Sequence, residues 1–309
     1  MSSAVSAETP PPALRGSAKP LIPVYRRTLI AYAFDHLIAA GAEQFMVNTH
    51  HRHERYAEAF PGGAYRGRSA RLSLRADAAG DGGRDRQRGG LDRRQVGGLV
   101  YNGDILTDLP LEPLIDEHFR VANLVTLALR SDGFARHIAL DPGSRQVTDI
   151  RNLLGTGQEG GYQFTGIYVI DPAFVARLTP GEVKSVIPEF LDLIREGLPI
   201  GGAVIDVGIW SDLGSRESYL DAHAVLGRTL FPSYGGGLQA QIDPTADMGA
   251  NARFDAGTCV GAGAVVGPGA LLDNTVVWAG GKVAPGARLN RCVVRTGQTA
   301  SGDLDGADV

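Results

Sequence analysis

The chain has 309 residues, enough for one large α/β domain or for a domain of about 230 residues with a smaller one attached. Its apolar fraction of 43% and charged fraction of 21% are ordinary for a folded protein, and its net charge of −4 gives no case for binding nucleic acid or an anionic membrane. Cys259 and Cys292 are the only cysteines, too few for a disulfide framework or a four-ligand zinc site. Because residues 1–12 lack a leader pattern and no apolar stretch is long enough to span a membrane, we expect a cytoplasmic protein.

Helix and strand patterns alternate along the first two thirds of the chain. Helical spacing of apolar residues predicts helices at residues 29–41, 111–118 and 185–196. Apolar runs predict strands at residues 44–47, 99–101, 124–129, 164–170 and 203–207. This alternation is typical of an α/β fold with a doubly wound, mainly parallel sheet, in which ligands bind beyond the carboxyl ends of the strands.

A segment rich in arginine interrupts that alternation. Nine arginines and four aspartates lie between Arg66 and Arg94, and residues 76–90 contain no large apolar side chain. A patch that binds phosphate or nucleic acid is one interpretation, but aromatic residues for base stacking are missing. We expect residues 76–95 to form a solvated loop or to be disordered.

The C-terminal part carries a different period, six residues long. One apolar row is Ile242, Met248, Phe254, Val260, Val266, Leu272 and Trp278, and a companion row is Cys259, Val265, Leu271, Val277, Val283 and Leu289. Small and turn-forming residues lie between them, which predicts a parallel β-helix over residues 238–300 whose inward residues stack from coil to coil. The pattern resembles left-handed β-helices, with about three coils. A hinge near residues 233–237 separates it from a first domain at residues 1–234, and we expect residues 301–309 to be a frayed tail.

Two acidic motifs follow predicted strands or begin predicted helices in the first domain. Asp104 ends the sequence Asn102-Gly-Asp104 directly after a strand, and Asp212 precedes Gly214 and the start of a helix. Carboxylates at strand ends suit a hard cation that carries substrate phosphates. Taken singly, the first motif is also an ordinary turn and the second an ordinary helix cap.

The order and spacing of six short motifs point to a family. They are Lys19-Pro-Leu-Ile-Pro-Val24, Ala39-Ala-Gly41, Val47-Asn-Thr-His-His51, Tyr101-Asn-Gly-Asp-Ile-Leu106, Phe164-Thr-Gly-Ile-Tyr168 and Trp210-Ser-Asp-Leu-Gly214. Together they resemble the sugar-1-phosphate nucleotidyltransferases, and most closely the group of mannose-1-phosphate guanylyltransferases and related uridylyltransferases. The resemblance covers residues 19–226, and several members of the family also carry a C-terminal β-helix.

The resemblance implies a reaction without a covalent enzyme intermediate. A sugar 1-phosphate attacks the α-phosphorus of an NTP, GTP or UTP, and pyrophosphate leaves. Asp104 and Asp212 would hold Mg²⁺, and Lys19 would contact phosphate charge. Positioning and charge neutralisation then supply the rate.

The same resemblance assigns binding roles to four further residues. Asn102 and Gly103 would line the nucleotide side, and Thr165 and Gly166 the sugar-phosphate side. We expect a homo-oligomer held together through the β-helix, with no nucleic-acid or membrane partner.

Two segments depart from the family's pattern. Residues 1–18 contain no apolar strand and no Gly-rich loop ending in Gly-Thr-Arg, the element that holds the triphosphate, and residues 76–95 replace an apolar segment that reads the base. Repurposing of the fold or a local frame error in a GC-rich gene would each produce this pattern. We therefore expect weak turnover by this chain.

Two alternative functions use the same architecture. A non-catalytic regulatory or assembly subunit is favoured by the missing phosphate loop, whereas the retained Asp104, Asp212 and Lys19 favour the enzyme. Acyl transfer on the β-helix needs a general base, and no histidine follows His223.

Overall fold

The computed structural model describes residues 18–49, 53–73, 97–178, 185–228 and 240–309. The expectations for residues 1–17, for residues 76–95 and for the hinge near 233–237 fall outside these ranges and stay predictions. His50 and His51 of the third motif also lie outside them. Among the described residues, no helix is long and apolar enough to cross a membrane.

The elements that precede the β-helix follow the predicted alternation. The helices in the described ranges are α1 (Leu29–Ala39), α2 (His53–Ala59), α3 (Glu112–Val121), α4 (Pro172–Val175), α5 (Ile187–Arg195) and α6 (Arg216–Leu226). The strands are β1 (Pro23–Val24), β2 (Arg27–Thr28), β3 (Gln44–Asn48), β4 (Ala64–Tyr65), β5 (Arg68–Ser73), β6 (Gly98–Tyr101), β7 (Ile105–Thr107), β8 (Val125–Arg130), β9 (Arg136–Leu140), β10 (Val147–Ile150), β11 (Tyr162–Ile170), β12 (Ile200–Val204) and β13 (Trp210–Asp212).

Close contacts divide the described residues into two units that do not follow the order of the sequence. The sheet unit contains residues 40–49, 53–73, 97–102, 109–178 and 185–209. The β-helix unit contains residues 18–39, 103–108, 210–228 and 240–309. The predicted boundary at residues 234–238 lies outside the described residues.

The sheet unit is built on a six-stranded sheet with the order β10-β9-β11-β8-β12, in which β6 also pairs with β11. β8 and β12 are parallel, and β11 runs antiparallel to β6, β8 and β9. β8 is buried along its whole length, and its alternate residues Val125, Leu127 and Leu129 share a core with Phe190 of α5. A smaller sheet has the order β3-β5-β4. The predicted α/β class with a C-terminal β-helix is confirmed.

One strand of this sheet begins three residues before its predicted start at residue 203. Gly201 and Gly202, which resemble a loop in the sequence, lie inside β12. A Cβ atom would lie 2.2 Å from Asn123 Nδ2 at Gly201 and 2.5 Å from Leu129 Cδ1 at Gly202. The glycines are therefore needed for close packing of the strand rather than for a turn.

The β-helix has three faces of parallel strands. Its strands are β14 (Asp247–Met248), β15 (Arg253–Phe254), β16 (Cys259–Val260), β17 (Val265–Val266), β18 (Leu271–Asp273), β19 (Val276–Val277), β20 (Lys282–Val283), β21 (Arg288–Asn290), β22 (Val293–Val294), β23 (Thr299–Ala300) and β24 (Asp303–Asp305). The faces are β14-β17-β20-β23, β15-β18-β21-β24 and β16-β19-β22. Val260, Val266 and Leu272 each face its core from one of the three faces, as the period of six residues predicts.

The inward row changes phase at the turn that follows Leu272. Leu272 and Val277 both face the core although only five positions separate them, and Asn274 in the turn between them has a positive φ of 41°. Trp278, which the sequence places in the inward row, therefore follows the inward residue Val277 and does not belong to the core of the coil. Its indole instead lies against α6, where Nε1 donates a hydrogen bond to the hydroxyl of Tyr219 over 3.2 Å.

The expectation of a frayed tail after residue 300 is wrong. β24 pairs in register with β21, so that Leu304 extends the stack below Leu289. The N–H of Val309 donates to the carbonyl of Val293 over 2.9 Å. The small and acidic composition of residues 301–309 conceals one further strand of the coil, because a strand of three residues directs only one side chain, that of Leu304, toward the core.

Candidate active site

Asp104 directly precedes β7 and Asp212 ends β13, and these two strands of the β-helix unit are paired. β7 and β13 are antiparallel, with Asp212 opposite Ile105. The N–H of Leu213 donates to the carbonyl of Asp104 over 3.0 Å, which extends the ladder by one step. Two segments more than 100 positions apart in the sequence thus lie side by side, and Asp104 is one step along the ladder from Ile105, the residue that pairs with Asp212.

Neighbouring charges act on the carboxyl group of Asp104. Asp104 is half-buried whereas Asp212 is exposed. Burial raises the pKa of Asp104 above its usual range, the negative charge of Asp212 raises this pKa further, and the ammonium of Lys19 lowers it. The arrangement concentrates negative charge at the strand ends, and a cation would relieve the repulsion.

Lys19 reaches this pair from a short turn, Lys19–Leu21, that precedes the hairpin of β1 and β2. Pro20 is buried against Gly103, where a Cβ atom would lie 3.0 Å from Pro20 Cγ. The glycine of the Asn-Gly-Asp motif is therefore required so that the turn carrying Lys19 can approach Asp104. Gly103 thus has a packing role within this unit.

The segment after Asp212 is held by a helix cap and by a glycine. Ser215 is the N-cap of α6, and its hydroxyl accepts from the N–H of Ser218 over 3.0 Å in a reciprocal capping box. A Cβ atom at Gly214 would lie 3.0 Å from Asp212 Oδ1. The cap and the glycine fix the chain that follows Asp212 and leave its carboxylate room.

The remaining predicted site residues belong to the sheet unit and meet at a bulge in β11. Three residues of β11, Thr165 to Ile167, lie opposite Ala128 alone, because Phe164 pairs with Leu129 and Tyr168 with Leu127. Gly166 has a φ of +81°, and its carbonyl accepts from the N–H of Asn102 over 3.0 Å.

The side chains of Asn102 and Thr165 pack against the backbone at this bulge or bond to it. A Cβ atom at Gly166 would lie 2.7 Å from Asn102 Nδ2, so this glycine is needed for the close approach of the amide. Thr165 is fully buried, and its hydroxyl donates to the carbonyl of Ala128 over 2.9 Å. Asn102 and Gly166 are thus in contact, and the hydroxyl of Thr165 stabilises the bulge.

The donor set around Asp104 and Asp212 fits a hard divalent cation. Carboxylate oxygens are the ligands that Mg²⁺ prefers, and Mg²⁺ is commonly held by one or two carboxylates together with substrate phosphates. No group of three or more His, Cys, Asp or Glu side chains that could hold a metal occurs in the part of the chain that the structure describes. The carboxylate pair therefore suits a metal that arrives with phosphate ligands.

Several residues with a part in this arrangement have no signal in the sequence. Pro20 and Gly214 shape the surroundings of Lys19 and Asp212, but Gly and Pro are common in any loop. Tyr219 lies on α6 within its buried face, and only its contacts distinguish it from an ordinary core tyrosine.

The chain is similar to known proteins over most of its length. A family model described as nucleotidyl transferase matches residues 12–228. A mannose-1-phosphate guanylyltransferase of Mycobacterium tuberculosis is 26% identical over 272 residues, which cover 86% of this chain and 76% of that protein. A solved structure described as a glucose-1-phosphate thymidylyltransferase of Bacillus anthracis, in complex with sucrose, aligns with a TM-score of 0.51 at 18% identity. That alignment covers 69% of this chain and 88% of the other and supports the fold.

Proposed function

Because the chain belongs to the nucleotidyl transferase family, we propose that it joins an NTP and a sugar 1-phosphate to give an NDP-sugar and pyrophosphate. The observation that carries the proposal is the pair Asp104 and Asp212 at adjoining strand ends with Lys19 beside it. In a non-catalytic subunit, the repulsion between the two carboxylates would lower stability without a function that requires it. The similarity to a mannose-1-phosphate guanylyltransferase also favours the enzyme and makes GTP and mannose 1-phosphate the first substrates to test, with UTP next.

The reaction needs the substrates to be aligned and their charge to be neutralised. An oxygen of the sugar 1-phosphate forms a bond to the α-phosphorus of the NTP while the bond to the bridging oxygen of the β-phosphate breaks, and that oxygen leaves with pyrophosphate. Lys19 contacts the phosphate charge. Asn102 and Gly103 bind on the nucleotide side, and Thr165 and Gly166 shape the backbone on the sugar-phosphate side.

Members of this family generally use a divalent metal ion. We assign Mg²⁺ as the ion and Asp104 and Asp212 as the residues that would hold it. When bound, it would neutralise phosphate charge during the transfer. Because NTPs are supplied in the cytoplasm, we propose that compartment for the reaction.

The activity is tested by incubating the full chain with Mg²⁺, mannose 1-phosphate and either GTP or UTP. We expect release of pyrophosphate together with formation of an NDP-sugar, and loss of both products in Asp104→Asn. Because residues 1–18 and 76–95 depart from the family's pattern, we expect weak turnover, and the assay must detect slow release of pyrophosphate. No product above the level of Asp104→Asn would contradict the proposal.

We also propose that the chain associates with a second copy through the β-helix. Phe254 on β15 is 44% exposed although it continues the inward apolar row, because it lies in the first coil. Phe254→Glu should then lower the oligomer mass in light scattering. Phe134→Glu is the matched control, because Phe134 is a fully exposed phenylalanine of the sheet unit. An unchanged mass in Phe254→Glu would remove this role.

A further inference from the structure

One buried hydroxyl joins three segments of the β-helix unit. Tyr219 is fully buried, and its hydroxyl donates to the carbonyl of Pro23 over 2.5 Å. The same oxygen accepts from Nε1 of Trp278 over 3.2 Å. Burial raises the pKa of Tyr219 well above its usual range, so the hydroxyl keeps the proton that it donates.

Two of these segments carry proposed site residues. Tyr219 lies in the first turn of α6, where its N–H donates to the carbonyl of Ser215 over 3.1 Å, and Ser215 follows Asp212 by three residues. Pro23 follows the turn of Lys19, which is closed by a hydrogen bond of 3.2 Å from the N–H of Ile22 to the carbonyl of Lys19. A change in the position of the Tyr219 hydroxyl would therefore move both segments.

The third segment is the β-helix, which holds the hairpin that follows Lys19 in an unfavourable conformation. Tyr25 and Arg26 both have positive φ, 43° and 66°, in the turn between β1 and β2. Non-glycine residues rarely adopt this conformation at two successive positions. The hydroxyl of Tyr25 donates to the carbonyl of Ala256 over 3.0 Å, and Arg26 pairs with Asp243 at 2.8 Å. Contacts with the coil thus keep the hairpin in place.

The change of phase in the coil is what makes Trp278 available to Tyr219. Continuation of the six-residue row would turn the indole into the core of the coil. The five-residue step from Leu272 to Val277 puts Val277 inside, and the indole reaches Tyr219. The five-residue step therefore places Trp278 where its indole N–H can donate a hydrogen bond to the hydroxyl of Tyr219.

We propose that Tyr219, held by Trp278, is a positioning residue that sets the Lys19 turn and the Asp212 segment relative to each other. This inference rests on the proposed function, because it assigns a consequence to the positions of Lys19 and Asp212. The β-helix then contributes to catalysis by fixing the geometry of the carboxylate pair. A displacement of about 1 Å caused far from the reacting atoms can lower a rate by about 100-fold.

Tyr32 offers a matched control for the loss of a hydroxyl. It is a buried tyrosine of α1 whose hydroxyl donates to the carbonyl of Val24 over 3.0 Å, next to the acceptor of Tyr219. Its hydroxyl has no hydrogen bond to α6 or to the β-helix among the described residues. Tyr32→Phe therefore removes the same kind of hydrogen bond from the same hairpin without breaking the connection to Asp212.

The experiment measures binding of Mn²⁺ to the full chain by electron paramagnetic resonance, alongside kcat with Mg²⁺. Asp104→Asn identifies the metal site and should abolish binding. Tyr219→Phe and Trp278→Phe should each weaken binding and lower kcat by about tenfold. In the double variant, Trp278→Phe should add little, because both changes break one connection. Tyr32→Phe should bind Mn²⁺ like the wild type.

Two kinds of result would contradict these expectations, one for the positioning role and one for the metal site. Wild-type affinity and kcat in Tyr219→Phe, or equal losses in Tyr32→Phe, would overturn the positioning role. Wild-type Mn²⁺ affinity in Asp104→Asn would overturn the metal assignment instead, and kcat alone would then decide the inference. In that case Tyr219→Phe must lower kcat about tenfold and Tyr32→Phe must not.

Discussion

The β-helix unit and the sheet unit hold different kinds of predicted site residues. In the β-helix unit, Asp104 and Asp212 present charges whose proximity is unfavourable without a cation. In the sheet unit, Thr165 and Gly166 shape a bulge through backbone conformation and buried hydrogen bonds. Substitution of either carboxylate should therefore change the chemistry at little cost in stability. Substitutions in the sheet unit should lower stability before they affect the chemistry.

The largest effect is expected at the carboxylate pair. Asp104→Asn should lower kcat by about 1000-fold, because an interaction that neutralises charge in the transition state is lost. The free energy of unfolding should stay the same or rise, because an amide is not repelled by Asp212 and burial costs it less. Steady-state kinetics and urea unfolding measure the two quantities.

The control for this variant is Asp221→Asn. Asp221 is an exposed residue of α6 whose carboxylate pairs with Arg291 at 2.9 Å, so its loss should leave kcat near the wild-type value. A large loss of stability in Asp104→Asn would contradict the description of Asp104 as a residue kept for its charge.

A smaller effect is expected from a histidine in the β-helix unit. His223 is fully buried, its Nδ1 donates to the carbonyl of Tyr219 over 2.9 Å, and its Nε2 accepts from the N–H of Tyr25 at 3.4 Å. The neutral ring is therefore satisfied at both nitrogens, and burial lowers the pKa of His223 to about 4. The unfolded chain binds this proton near pH 6.5, but the folded chain binds it only near pH 4.

The free energy of unfolding should therefore fall as the pH drops from about 6.5 toward 4, by roughly 3 kcal/mol over the whole interval. Urea unfolding at pH 7, 6 and 5 measures the slope. His223→Gln should flatten it, because an amide can form both hydrogen bonds without titrating. The exposed His137→Gln should keep the wild-type slope. An equal slope in His223→Gln and the wild type would show that other groups cause the pH dependence.

The smallest effect is expected at the bulge of the sheet unit. Gly166→Ala should lower the free energy of unfolding by about 2 to 3 kcal/mol, part from the positive φ and part from the contact with Asn102. Gly157→Ala is the matched control, since Gly157 has a φ of +70° and nothing within 4 Å of the added Cβ atom. The difference between the two variants isolates the contact, and equal losses would show that the approach of Asn102 does not depend on this glycine.

The sequence predicts regular elements well because burial follows a period. Val260, Val266 and Leu272 occupy the core of the coil at the predicted positions. Trp278 does not, because a five-residue turn shifts the phase and nothing in the composition distinguishes it from a six-residue turn. Gly201 and Gly202 predict a loop where the structure has a strand, because glycine is selected both in turns and where strands pack closely.

The charged residues of the proposed site could be predicted from the sequence, but the residues that hold them in position could not. Asp104 and Asp212 each match a motif of the family, so the proximity of the segments that carry them could be expected from order and spacing. The roles of Pro20 and Tyr219 depend on contacts between segments far apart in the sequence. No local pattern encodes such contacts, because each residue is ordinary in its own element.

In the proposed reaction, Asp104 and Asp212 act together on one ion. The most direct test is kcat for Asp104→Asn, Asp212→Asn and the variant that carries both changes. If the two carboxylates share one task, the double variant should be no more than about threefold slower than the slower single variant, because the first substitution already removes the shared interaction. Losses that multiply in the double variant would show two independent roles and would contradict the shared site.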